Sequence, residues 1–283
     1  MKRTFKHILL SSSIALASIS VLNLPSTTTA APAINIQSVL QQERAWAGMQ
    51  TKRVKVGDIE WAYSEGGTKG KPVIMLIHGL AGSRDNWNRV ARYLTPHYQV
   101  IIPDLPGQGD SKAPNDFDYS IPNLTEKLRR FAEAIQVEKD LHIAGHSMGG
   151  AISLLYAAQY PIDAKSLFLV NSAGVFKSAN TPYLKDPNLL RNFVVAKPGD
   201  FDRLFKIAAQ LPPFIPNELK VEQEKLMISN AANTSKLIEQ LILMSKSFTP
   251  DTFAIAARSI DQPTLIVWGD KDQIIKPETV NLI

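Results

Sequence analysis

The apolar positions of this 283-residue chain fall into short runs at a regular beat. Val73-Ile74-Met75-Leu76-Ile77 is apolar at every position, the pattern of a strand buried on both faces. Val100-Ile101-Ile102, residues 141–144, Leu167-Phe168-Leu169-Val170 and Thr264-Leu265-Ile266-Val267-Trp268 are runs of the same kind. Arg53-Val54-Lys55-Val56 and Ile59-Glu60-Trp61-Ala62-Tyr63 alternate polar and apolar residues around Gly57-Asp58, which predicts an antiparallel hairpin. Helical stretches are predicted over 85–94, 124–135 and 148–159, the last ended by Tyr160-Pro161. Strands alternating with helices predict parallel βαβ units, and so an α/β fold with a mostly parallel, doubly wound sheet. Ligands of such sheets bind outside the carboxyl ends of the strands. His78-Gly79, Asp104, Ser147 and Gly269-Asp270-Lys271-Asp272 all fall at those ends.

One segment breaks the beat. Residues 176–258 contain no clear strand, and Pro182, Pro187, Pro198, Pro212, Pro213 and Pro216 interrupt them. Their apolar clusters, such as Phe193-Val194-Val195 and Phe214-Ile215, predict a helical cap inserted between the strand ending at Val170 and the one starting at Thr264. The expected division is a leader over 1–30, a weakly amphipathic lead-in over 31–50, a core over 51–175 and 259–283, and a cap over 176–258.

Composition changes the picture only at the N-terminus. Hydrophobic content of 45% and charged content of 20% are those of an ordinary globular protein. Lys2, Arg3 and Lys6 precede an apolar, Ser- and Ala-rich run over 8–24 and a small-residue tail, the pattern of a secretory signal peptide cleaved near Ala30. Secretion or periplasmic location is therefore expected. Removing those three positive charges from the net +5 leaves +2, so nothing suggests a nucleic-acid partner. The chain has no cysteine, which excludes disulfides and a cysteine-linked lipid anchor. No cofactor or metal is expected.

The candidate chemistry centres on Gly145-His146-Ser147-Met148-Gly149. A short apolar strand precedes this G-x-S-x-G sequence and a helix-forming stretch follows it, the context of a nucleophile elbow. A serine hydroxyl becomes a useful nucleophile when it is lifted out of the sheet and aimed at a base. The sharp turn needs flanking positions almost free of side chain, which Gly145 and Gly149 supply. The following helix points its N-terminal amides at the site and favours developing negative charge. The backbone N–H of Met148, next to the nucleophile, is the expected first oxyanion donor.

Four motifs stand in order at strand ends: His78-Gly79-Leu80, Asp104-Leu105-Pro106-Gly107-Gln108-Gly109-Asp110-Ser111, Gly145 to Gly149, and Trp268-Gly269-Asp270-Lys271-Asp272. Together they resemble the α/β-hydrolases, and among them the exported bacterial lipases of the Moraxella and Psychrobacter type. The resemblance covers nearly everything after about Gln50. It implies acyl transfer through Ser147, a second oxyanion donor at the Leu80 backbone, and Asp272 rather than Asp270 as the acid of a Ser-Asp-His triad. The family's variant acid position, one strand earlier, holds Asn171-Ser172 here. The implied substrate is a small-molecule or lipid ester, with transient lipid-surface contact through the cap. A carbon–carbon hydrolase, a perhydrolase or a non-catalytic binding protein on the same fold remain alternatives.

The resemblance also implies a histidine after Asp272. The five histidines, His7, His78, His97, His142 and His146, all precede it. The expectation is a C-terminally truncated hydrolase that lacks the final strand, the final helix and the catalytic base, and that is inactive as it stands. His78 is expected to shape its loop rather than to act as an acid or base, and the 104–111 turn to be structural.

Overall fold

The computed structural model describes residues 35–174, 181–210, 214–247 and 251–283. The expected leader, its cleavage site near Ala30, and Pro212 and Pro213 of the cap lie outside these residues.

Seven strands form one sheet in the order β1-β2-β4-β3-β5-β6-β7. Strands β1 (Met49–Val56) and β2 (Ile59–Gly66) make the expected hairpin, with Val56 opposite Ile59 and Gly57 in the left-handed region at φ 61°. Strand β2 runs antiparallel to β4 (Gln99–Pro103). Strands β3 (Val73–Ile77), β5 (Leu141–His146), β6 (Ala164–Val170) and β7 (Thr264–Val267) continue parallel from β4. Strand β5 runs two residues past the apolar run, because Gly145 and His146 still pair with Leu169 and Val170. Strand β7 stands at the edge of the sheet, with Leu265 58% exposed.

The continuous apolar runs are explained by helices on both faces. Met75 and Ile77 point into the larger core, and Ile74 and Leu76 into a second one with Trp87 and Ala91. The larger core is closed by α3 (Ile121–Ala134) and α4 (Met148–Gln159). Helix α3 starts at Ser120, whose side chain accepts from Asn123 N–H (3.4 Å), with Pro122 in the first turn. Its Leu124, Leu128 and Phe131 make one buried stripe, each contributing roughly 2–3 kcal/mol by burial. On the other face lie α1 (Ile36–Trp46) and α2 (Asn88–Leu94), the latter entered through a 3₁₀ turn over Arg84–Trp87. Arg44 holds α1 against that turn by a two-pronged contact with the Asp85 carboxylate, at 2.6 Å on each prong.

The insertion is helical: α5 (Pro182–Lys185), a 3₁₀ segment over Pro187–Phe193, α6 (Asp200–Ala208), α7 (Asn217–Ser229), α8 (Ala231–Ser247) and α9 (Asp251–Arg258). It contains no strand among its described residues. Its buried apolar residues gather in two places. Val195, Phe201 and Leu204 form a small cluster of their own, whereas Leu237, Ile238 and Ile242 of α8 and Phe253 and Ala254 of α9 enter the larger core. The Gln240 side chain ties α8 down, accepting from Tyr119 N–H (2.5 Å) and donating to Phe117 O (3.0 Å). Among the described residues no helix is long and apolar enough to cross a membrane.

Candidate active site

The chain passes from β3 out to β4 and then back to β5 on the other side of β3. That reversal opens a crevice at the carboxyl ends of β3 and β5. Ser147 stands there, between β5 and α4. Its backbone takes φ 53° and ψ −121°, a conformation a side-chain-bearing residue adopts at a cost. The surroundings enforce it. Ser147 N–H donates to Val170 O (3.1 Å), and Ser147 O accepts from Gly150 N–H (2.9 Å) and Ala173 N–H (3.0 Å). A Cβ on Gly145 would lie 2.1 Å from Gly149 O, and one on Gly149 would lie 2.3 Å from Ile77 O. Both glycines are required by close backbone approach, as the pentapeptide predicts.

The loop after β3 closes the other side. Its Gly79 passes so close that a Cβ there would be 3.1 Å from Ser147 Cβ. Gly82 N–H donates to Gly79 O (3.1 Å), and Ala81, at φ 57°, completes the four-residue turn. Ala81 N–H is taken by the Gln108 side chain (3.1 Å). Leu80 N–H and Met148 N–H donate to no acceptor among the described residues. Two unspent amides thus belong to the two segments that meet at Ser147.

His78 fixes this loop. It is fully buried; its Nδ1 lies 2.8 Å from Gly79 O and its Nε2 accepts from Leu105 N–H at 3.0 Å. Only the neutral tautomer carrying the proton on Nδ1 satisfies both contacts. Burial pushes its pKa down to about 4. The 104–111 turn is similarly committed. Asp104 and Asp110 both pair with the buried Arg84, and Asp104 also accepts from Arg84 N–H (2.6 Å) and Asp110 N–H (2.8 Å). The apolar rhythm gave no sign of Arg84. A lone arginine in a polar turn acquires its meaning only when the fold brings Asp104 against it.

Asp270 and Asp272 separate clearly. Asp270 is exposed, whereas Asp272 is half-buried beside β6. Asp272 Oδ1 accepts from Ile274 N–H (2.8 Å) and Ile275 N–H (3.0 Å), and Oδ2 accepts from the Asn171 side chain. The Asp272 charge is felt by His146, where desolvation nonetheless wins and lowers the pKa. It is felt also by Tyr183 of the cap, whose pKa is raised first by burial and then by Asp272. Ser147, Leu80, Met148 and Asp272 therefore share one region under the cap.

No described histidine takes the place of a base hydrogen-bonded to Ser147. His78 is spent on its loop. His142, at the amino end of β5, lies 2.6 Å from Ser166 Oγ. His97 precedes β4, at the same far end of the sheet. The His146 ring makes no hydrogen bond among the described residues. Among the described residues, no His, Cys, Asp or Glu cluster is arranged to hold a metal ion.

The sequence profile of the alpha/beta hydrolase fold family matches residues 72–283. The chain belongs to the α/β-hydrolase family. This hydrolase is 37% identical over 275 residues to Lipase 1 of Psychrobacter immobilis, covering 95% of this chain and 84% of the relative. It is 36% identical over 277 residues to Lipase 3 of Moraxella sp. strain TA144, covering 95% and 86%. Its fold superposes on the crystal structure of a candidate lipase from Acinetobacter baumannii AYE with a TM-score of 0.84 at 59% identity, covering 88% of this chain and 84% of that one.

Proposed function

We propose that this hydrolase cleaves carboxylic esters, with fatty-acyl esters as substrates and an acyl-Ser147 intermediate. The observation that carries the reading is Ser147 on its strained turn between the unspent amides of Leu80 and Met148. Similarity to two lipases over 95% of the chain supports the substrate class. Ser147 Oγ attacks the ester carbonyl as its proton passes to the base. The carbonyl oxygen becomes an oxyanion held by Leu80 N–H and Met148 N–H, each donor contributing about 3 kcal/mol to the barrier reduction. The alcohol leaves with a proton from the base, and water attacks the acyl-serine to regenerate Ser147. Asp272 is the acid that orients the base. The four described histidines are spent, remote or unaligned, so the base of this reading is a histidine outside the described residues.

Ser147→Ala in the complete protein is expected to abolish p-nitrophenyl ester turnover without altering the fold. Wild-type turnover in that variant would remove the assignment. A complete coding sequence with no histidine after Asp272 would remove that base. Export follows from the charge and apolar pattern over 1–30, and N-terminal sequencing of the exported protein should begin near residue 31. Lipid-surface contact by the cap is supported by Phe214, 83% exposed, and Val221, 46% exposed. Phe214→Ser should reduce sedimentation with phospholipid vesicles.

A further inference from the structure

Asn171 follows β6, where the chain could carry an acid and does not. It is 6% exposed and its backbone is left-handed at φ 45°, a region that Asn tolerates better than most side chains. Its backbone N–H donates to Val267 O (3.0 Å), which fixes the end of β6 against the end of β7. Its side chain then reaches both ends of one turn. The amide Nδ2 donates to Asp272 Oδ2, and Oδ1 accepts from Gly269 N–H (3.4 Å). The turn is closed by Asp272 N–H donating to Gly269 O (3.2 Å). The amide orientation follows from the chemistry, because a carboxylate can only accept and a backbone N–H can only donate.

The Asp272 carboxylate is therefore held at three points. Two backbone amides fix Oδ1, and Asn171 takes one lone pair of Oδ2, leaving another on that oxygen to face a base. Asp could not do this, since a carboxylate at 171 would repel Asp272 and donate nothing. Ser is too short to span Gly269 and Asp272 together. We infer that Asn171 is a positioning residue for ester hydrolysis, aiming the Asp272 carboxylate at the base and clamping the turn that carries it.

The inference rests on Asp272 being the triad acid. It is tested in the complete protein with Asn171→Gly, Asp272→Ala and the double variant Asn171→Asp/Asp272→Ala. Glycine is chosen because it relaxes at φ 45° and so removes the amide without straining the backbone. Asn171→Gly is expected to lower kcat roughly 10-fold or more, as for loss of a hydrogen bond to a charged group, with KM within about 2-fold. Asp272→Ala should lower kcat by about 10⁴-fold. The double variant places a carboxylate one hydrogen-bond length from the one removed, and should regain at least about 10-fold over Asp272→Ala. A packing residue would show no such gain. Wild-type kcat in Asp272→Ala overturns the acid assignment and the inference with it. Wild-type kcat in Asn171→Gly beside an inactive Asp272→Ala overturns the inference alone, as does a double variant no faster than Asp272→Ala.

Discussion

His78 ties folding to pH through a single buried ring. Its pKa is about 4 in the folded protein, against 6.5 when solvated, because burial penalises the imidazolium and Nε2 is already occupied by Leu105 N–H. Between those values the unfolded chain binds the proton and the folded chain does not, so stability is full above pH 6.5 and falls as the pH drops towards 4. The full span is worth about 3 kcal/mol, and about 2.5 kcal/mol of it is lost by pH 4.5. Urea unfolding at intervals from pH 7.5 to 4.5 would measure the slope. Burial lowers the pKa values of His142 and His146 as well, which adds to the loss of stability below pH 6.5, so the informative quantity is the difference from a variant. In His78→Gln the side-chain oxygen can still accept from Leu105 N–H, but nothing titrates. This variant should be about 1 kcal/mol less stable at pH 7.5, for the lost contact with Gly79 O, and should lose about 2.5 kcal/mol less than the wild type on going to pH 4.5. Parallel loss in the two proteins would refute the account of His78 as a neutral, buried loop fastener.

Three further outcomes follow from contacts around the site. Gly149→Ala puts a methyl 2.3 Å from Ile77 O and 2.5 Å from His78 O, both backbone atoms at the end of β3. It should cost more than about 3 kcal/mol and yield little soluble protein; an unchanged melting temperature would show that the elbow is not so tightly nested. Arg44→Lys keeps the charge but breaks the two-pronged contact with Asp85, and should lower stability by about 1–2 kcal/mol in urea titration. Gln240→Ala strips both the acceptor from Tyr119 N–H and the donor to Phe117 O, and should raise hydrogen exchange at the Tyr119 amide at least 10-fold, which unchanged protection there would contradict.

The sheet was legible because its strands are short, apolar on both faces and punctuated by glycine and proline. Val73–Ile77 and Met148–Gln159 occupy the residues their patterns predict. Legibility ended where pairing replaced pattern. Strand β5 continues through Gly145 and His146 because β6 lies alongside, and nothing local in those two residues signals a strand. The insertion was legible as helical. Periodicity could not tell the small cluster of Val195, Phe201 and Leu204 from the residues, above all those of α8 and α9, that enter the larger core, because that depends on which apolar faces meet.

The site was legible to the same depth. Glycines that permit close approach carry a sequence signature, so Ser147 and its flanks could be read directly. Groups that act through partners carry none. Asn171 stands for an absent acid when the strand end is read alone, and becomes the amide that grips Asp272 once β7 brings residues 269–272 beside it. Arg84 likewise gains a role only from Asp104 and Asp110. The two cases share one cause. A carboxylate that must stay charged and aimed in a half-dry cleft needs donors on each oxygen. The fold draws some of them from neighbouring loops and the rest from the carboxylate's own segment, since a short turn has too few free N–H groups to hold both oxygens. Asp272 fits this rule: its own turn supplies the two donors on Oδ1, and the donor on Oδ2 comes from the neighbouring strand end, 101 residues earlier in the chain.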